Sequence, residues 1–292
     1  MPVAAVNGIE LVYEEAGSGT PLVFCHEYAG SRESWELQMG FFARRYRCIA
    51  YNHRGYPPST VPEDPAAYSE EHLVEDLRGL LDALGIERAH LCGLSMGGSL
   101  VVKFALAYPE RCLGIVSAGT GSGSTNRAAW EREIPATVQR YLSDGIGGVA
   151  DVYTRGPSRL PLLRKDPLGW QRFYDLFLTH SATGMAYTMQ GVQLRRKTIF
   201  DVAEDLPRIS APVLVVVGDE DEACIEPSLV LKRRIPRAGL LMLPNTGHAV
   251  NLEEPELFNR LVLDFLTAVE QGNWPEHGAL EASLLPPEAR PR

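Results

Sequence analysis

The 292-residue chain predicts an α/β fold: a mostly parallel eight-stranded sheet with helices on both faces and a helical cap inserted after the sixth strand. Three observations carry that expectation. Continuously apolar short runs, each ending abruptly in polar or glycine-rich sequence, alternate with helix-spaced stretches, as a sheet covered on both faces requires. Residues 120–205 break this alternation with aromatic-rich sequence that has no strand-like run. From 206 to 271 the apolar runs return. The expected division is a core of residues 1–119 and 206–271, a cap of 120–205, and a loosely ordered tail of 272–292 rich in Pro, Glu and Ala.

In order along the chain, VNGIELVYEE sets Asn7-Gly8 between β-prone runs, a hairpin signal. PLVFCHE (21–27) and YRCIAYNHRG (46–55) read as buried strands, with a helix over SWELQMGFFARR (34–45) between them. SEEHLVEDLRGLLDALGI (69–86) is an amphipathic helix, with Leu73, Leu77, Leu80, Leu81 and Leu84 at steps of three and four. Ser69 is its expected N-cap and Gly85 its stop. RAHLCGLS is a strand, GGSLVVKFALAYPE a helix, and CLGIVSAG (112–119) the sixth strand. Beyond the cap, APVLVVVGDED (211–221) and GLLMLP (239–244) read as strands and PELFNRLVLDFLTAVE (255–270) as a helix.

Composition excludes several classes. Against 28 basic residues stand 37 acidic ones, a net charge of −9, and the basic residues form no blocks, so no nucleic-acid partner is expected. No apolar run approaches the ~18 residues of a membrane span, and the opening MPVAAVNGIELVYEE lacks a leader's basic and apolar regions, so a cytoplasmic location is expected. Cys25, Cys48, Cys92 and Cys112 lie in strand-like runs, and with Cys224 the total is odd. They read as small buried hydrophobes, with no disulfide frame and no metal site. GLSMGG lacks the lysine of a phosphate loop and no G-x-G-x-x-G follows the first strand, so no cofactor is expected.

The informative stretch is HLCGLSMGGSL (90–100), where Gly93-Leu94-Ser95-Met96-Gly97 fits G-x-S-x-G between a strand and a helix. A turn that sharp leaves room only for hydrogen at the flanking glycines and lifts the serine oxygen above the sheet. A helix N-terminus beside it favours a developing oxyanion. A serine hydroxyl needs a base, and the base an orienting acid. Of seven histidines, His248 alone sits in a loop after a late strand and before the terminal helix; His26 and His53 end strands, where fixed backbone hydrogen bonds are expected. The acid should end a strand between serine and histidine, and GDED (218–221) offers Asp219 and Asp221.

Serine, acid and histidine in this order, each in a strand-end loop, make residues 1–270 resemble the α/β-hydrolase fold enzymes. The family's G-x-x-D pattern, here Gly218-Asp219-Glu220-Asp221, then selects Asp221, and its Gly-His matches Gly247-His248. The resemblance implies Ser95 as nucleophile, His248 as general base and Asp221 as orienting acid. It implies an oxyanion hole from the backbone N–H groups of Met96 and Tyr28, the latter within His26-Glu27-Tyr28-Ala29-Gly30. Glu27 stands where the family usually has glycine, and a carboxylate there is expected to point away from the oxyanion or pair with Arg54 or another cation. Asn52-His53-Arg54-Gly55-Tyr56 resembles a structural turn of the family.

The expected reaction is cleavage of small to medium carboxylic esters through an acyl-enzyme, on an apolar small-molecule substrate. Trp130, Phe173, Phe177, Met185 and Tyr187, with Glu27, are the candidate pocket residues. Serine in place of aspartate argues against alkyl-enzyme chemistry. The same triad serves C–C bond hydrolases, lactonases, thioesterases and perhydrolases, and a small-molecule sensor could retain it.

Overall fold

The computed structural model describes residues 1–276. β1 (Val3–Val6) and β2 (Ile9–Ala16) form the expected hairpin, with Asn7 and Gly8 both at positive φ, as a tight two-residue turn needs. β3 (Pro21–Cys25), β4 (Arg47–Tyr51), β5 (Ala89–Leu94), β6 (Cys112–Ala118), β7 (Val213–Gly218) and β8 (Ala238–Leu243) complete one eight-stranded sheet of order β1-β2-β4-β3-β5-β6-β7-β8. β2 runs antiparallel to its neighbours, and every pairing from β4 to β8 is parallel.

Side chains of a strand alternate between faces, and both faces here are covered. On one face Leu22, Phe24, Cys48, Ala50 and Val116 pack against α1 (Glu36–Phe42) and, at the far end of the chain, the helix Pro255–Glu270. On the other, Val23, Ile49, Leu91 and Ile115 pack against α2 (Glu70–Ala83) and α3 (Met96–Ala107). Each of the Val, Leu, Ile and Phe side chains among them contributes about 1.5–3 kcal/mol of burial. In α2 the Ser69 hydroxyl accepts from the His72 N–H at 3.2 Å, Leu73, Leu77, Leu80 and Leu81 are buried, and Gly85 follows at φ +65°.

Between β6 and β7 lie α4 (Arg127–Asp144), α5 (Gly147–Thr154), α6 (Leu160–Lys165), α7 (Pro167–Phe177), α8 (Ala182–Thr188) and a π-helical turn, Met189–Gln193. Then come α9 (Glu222–Arg234), α10 (Val250–Glu253) and α11 (Pro255–Glu270). The sequence reading missed α9, because Pro227 and a charged end hide its period. The parallel β7–β8 ladder makes a crossover there obligatory.

All five cysteines are free and buried, and burial raises the Cys25 and Cys48 thiols to about 12, which makes them inert. Of the expected tail, Trp274 is fixed: its ring meets Phe265 at 4.8 Å and its indole N–H donates to the Arg237 carbonyl at 2.9 Å. Residues 277–292 lie outside the described residues. Among the described residues no helix is long and apolar enough to cross a membrane. β3 sits between β4 and β5, so chain connections leave it in opposite directions, and a crevice opens at the carboxyl ends of β3 and β5.

Candidate active site

Ser95 sits at that crevice, between the last residue of β5 and the first of α3, at φ 56° and ψ −107°. A non-glycine residue there is strained by about 1–3 kcal/mol, and the surroundings must hold it. They do: the Ser95 N–H donates to the Ala118 carbonyl at 2.8 Å, and the Ser99 N–H to the Ser95 carbonyl at 2.9 Å. The glycines are a packing necessity. A Cβ on Gly93 would stand 2.1 Å from the Gly97 carbonyl oxygen, and one on Gly97 would stand 2.0 Å from that of Cys25. Met96, as the first residue of α3, offers an N–H that has no acceptor within its helix.

His248 and Asp221 meet across the loops after β8 and β7, His248 Nδ1 to Asp221 Oδ2 at 2.7 Å, both buried. Asp219, the competing carboxylate, is exposed and accepts from the Thr246 N–H at 3.1 Å, which makes it a brace of the histidine loop. Burial opposes charge on His248, but the Asp221 carboxylate, helped by Cys224, raises its pKa well above the usual histidine value. Burial would raise Asp221, and His248 outweighs it to hold the carboxylate below its usual range. Glu253, which the sequence reading did not single out, accepts from the N–H groups of Gly247 at 2.7 Å and Ala249 at 3.1 Å and so brackets His248. Cys224 donates to the Gly119 carbonyl at 3.3 Å and lies 4.0 Å from His248 Nδ1.

Ser95, His248, Asp221, Tyr28 and Trp130 line one cavity of about 560 Å³ beneath α4 and α5. The other candidate pocket residues are placed elsewhere. Phe177 stacks on Tyr153 at 5.3 Å inside the cap, Phe173 borders a separate cavity between cap and core, and Tyr187 packs against Tyr68 at 5.6 Å. Met185 and Glu27 are both buried and neither is on the lining. Aromatics at helical spacing here fill the cap's own core. Residues the sequence reading passed over take their place: Ile134, Tyr153, Met189 and Gln193, with Glu133, Glu220 and Glu222 also on the lining. The expected apolar pocket thus carries several carboxylates.

The loop after β3 is held tightly. His26 Nδ1 lies 2.7 Å from the Glu27 carbonyl oxygen, and the His53 N–H donates to His26 Nε2 at 3.1 Å, so both histidines make the backbone bonds expected of them. Arg54 is not the partner of Glu27, because Asp76 holds it through two 2.6 Å hydrogen bonds. Glu27 instead pairs with Arg159, which sits just before α6, and both side chains are 1% exposed. No periodicity or motif in SRLPLLRK marks Arg159, because only the fold brings it to Glu27, 132 positions away.

The description of the alpha/beta hydrolase fold family matches residues 20–255. The 3-oxoadipate enol-lactonase 2 of Acinetobacter baylyi is 28% identical over 242 residues, covering 82% of this chain and 86% of the relative. The crystal structure of the enol-lactonase from Burkholderia xenovorans superposes with a TM-score of 0.79 at 28% identity, covering 91% of this chain and 100% of that one. A thermophilic esterase from Thermogutta terrifontis gives 0.80 at 28% identity, over 91% and 97%. Matches of this coverage support hydrolase chemistry. The chain belongs to the alpha/beta hydrolase fold family.

Proposed function

We propose that this protein is a serine hydrolase that cleaves small to medium uncharged carboxylic esters, linear or cyclic, through an acyl-enzyme. One observation carries the reading: the strained Ser95 and the His248–Asp221 pair line a single cavity. His248 Nε2 takes the Ser95 proton as Oγ adds to the ester carbonyl. The negative charge goes to the former carbonyl oxygen, toward the N–H groups of Tyr28 and Met96. Collapse expels the alkoxide, which takes the proton from His248. Water, activated by the now neutral imidazole, cleaves the acyl–Ser95 bond and releases the acid. In a lactone the expelled alcohol remains tethered to the acyl group, so the same steps open the ring.

Charge on the lining supports an uncharged substrate. Glu133, Glu220, Asp221 and Glu222 stand on the cavity wall, and no lysine or arginine is among the described residues that line it. Arg164 pairs with Glu220 at 2.7 Å from outside, and the charge of Arg159 is taken by Glu27. Esterase and lactonase relatives support both linear and cyclic esters.

The test is hydrolysis of p-nitrophenyl butyrate and a γ-lactone by wild type and Ser95→Ala, with fluorophosphonate labelling of both. Hydrolysis and labelling are expected in the wild type and loss of both in the variant, a fall of at least ~10⁴-fold in kcat/KM. Retention of either activity by the variant would remove Ser95 from the chemistry.

A further inference from the structure

We propose that Arg159 is a positioning residue of the oxyanion hole: reaching from the cap into the core, it fixes through Glu27 the backbone that presents the Tyr28 N–H. The inference rests on the serine-hydrolase reading above.

That N–H belongs to the peptide joining Glu27 to Tyr28, so its direction is set by whatever holds this peptide. On the core side the Glu27 carbonyl accepts from Gly30 N–H at 3.1 Å and lies 2.7 Å from His26 Nδ1, while the Tyr56 hydroxyl donates to the Tyr28 carbonyl at 2.8 Å. On the cap side each of three consecutive residues has its own anchor. Arg159 holds the Glu27 carboxylate, the Tyr28 hydroxyl donates to the Met185 carbonyl at 2.9 Å, and His180 Nε2 lies 3.2 Å from the Ala29 carbonyl oxygen. Of these anchors only Arg159 is an ion pair, and it alone acts on the side chain that replaces the family's usual glycine.

Arg159 is itself fixed. Its guanidinium carbon lies 4.8 Å from the Phe173 ring centre and 5.9 Å from that of Tyr153, both in the cap. The pair also lacks substitutes: Glu27 Oε1 and Arg159 Nε and Nη1 are buried without other hydrogen-bond partners among the described residues. Removing one side chain therefore strands the other. A stranded Glu27 relaxes by displacing its own backbone, and the Tyr28 N–H moves with it.

Arg159→Met is expected to lower kcat for p-nitrophenyl butyrate about 10- to 100-fold with KM within about threefold, since a displaced oxyanion donor acts only in the transition state. A trifluoromethyl ketone adds Ser95 Oγ at its carbonyl, sends the proton to His248 and leaves an oxyanion. Its affinity should fall in parallel with kcat, while the matching secondary alcohol, which forms no adduct, should bind as before. Amide hydrogen exchange over residues 27–30 should accelerate. A kcat within twofold of wild type, equal losses for ketone and alcohol, or unchanged exchange would each overturn the proposal. In Glu27→Gln/Arg159→Met, full recovery of kcat would mean that Arg159 only neutralises Glu27 and would also overturn it, whereas a kcat as low as the single variant's supports it. If Arg159→Met does not unfold cooperatively, Glu27→Asp, which keeps the charge and shortens the reach, carries the same measurements with the same expected results. Failure of the hydrolase reading is seen separately, as wild-type inactivity or an unchanged Ser95→Ala, and the exchange measurement still decides whether Arg159 holds the loop.

Discussion

Asp219 and Asp221 are two residues apart on one turn, and only one can orient the base. Proximity to a strand end is the same for each, and in the sequence only the family's G-x-x-D pattern favours Asp221. Their geometry separates them: Asp219 Oδ1 braces the Thr246 N–H at 3.1 Å, whereas Asp221 Oδ2 reaches His248 Nδ1 at 2.7 Å. In the proposed mechanism this pair sets the pH dependence, because neutral His248 is the form that would accept the serine proton. Burial lowers its pKa, but Asp221 and then Cys224 outweigh burial and raise it well above 6.5; Tyr153 also interacts with the imidazole, and Glu253 accepts from the backbone on either side of it. Activity is therefore lost as pH falls through that raised value, and the acid limb of kcat/KM is expected above pH 6.5. Asp221→Asn leaves burial dominant, so the limb moves to lower pH and kcat drops by ~10⁴-fold. Profiles of both enzymes check this, and coincident limbs would rule it out.

Elements are joined by a second buried ion pair whose role is structural. Arg54, in the turn after β4, donates twice to Asp76 of α2 at 2.6 Å and once to the Ala67 carbonyl at 2.7 Å. Asn7 of the β1–β2 hairpin donates to the same Asp76 at 3.0 Å. One carboxylate thus ties hairpin, helix and turn together. Arg54→Met is expected to lower unfolding free energy by about 3–5 kcal/mol, and Arg54→Met with Asp76→Leu by less than half of that, because a stranded buried charge is worse than none. Urea titrations with unchanged slopes measure both, and a double variant as unstable as the sum of the singles would contradict the pairing. At this scale α2 was legible because its leucines recur at helical spacing and its cap is local. α9 was not, since its place is dictated by the strands it connects, and Pro227 masks its own pattern.

For the whole molecule, the proposed preference for uncharged substrates is expected to follow from charge. The chain carries a net charge of −9, and three of its acidic residues, Glu133, Glu220 and Glu222, stand on the cavity lining. At low salt a p-nitrophenyl succinate monoester is expected to show a kcat/KM about tenfold or more below the butyrate ester. The gap should narrow as salt shortens the screening length from ~30 Å at 0.01 M to ~3 Å at 1 M. Rates measured across that range check the expectation, and a gap independent of salt would assign the preference to shape.

Local pattern determined the strands, the sharp turn bearing Ser95, the loop bearing His248 and the helical character of residues 127–193, because hydrophobic period, turn chemistry and steric limits act over a few neighbouring residues. Tertiary structure decided that Glu27 pairs with Arg159 rather than Arg54, and that Trp130 lines the cavity while Phe173 and Phe177 do not. Those outcomes depend on contacts between different elements of the chain, such as Glu27 and Arg159, which are 132 positions apart. Only the packed sheet and the helices above it fix such contacts.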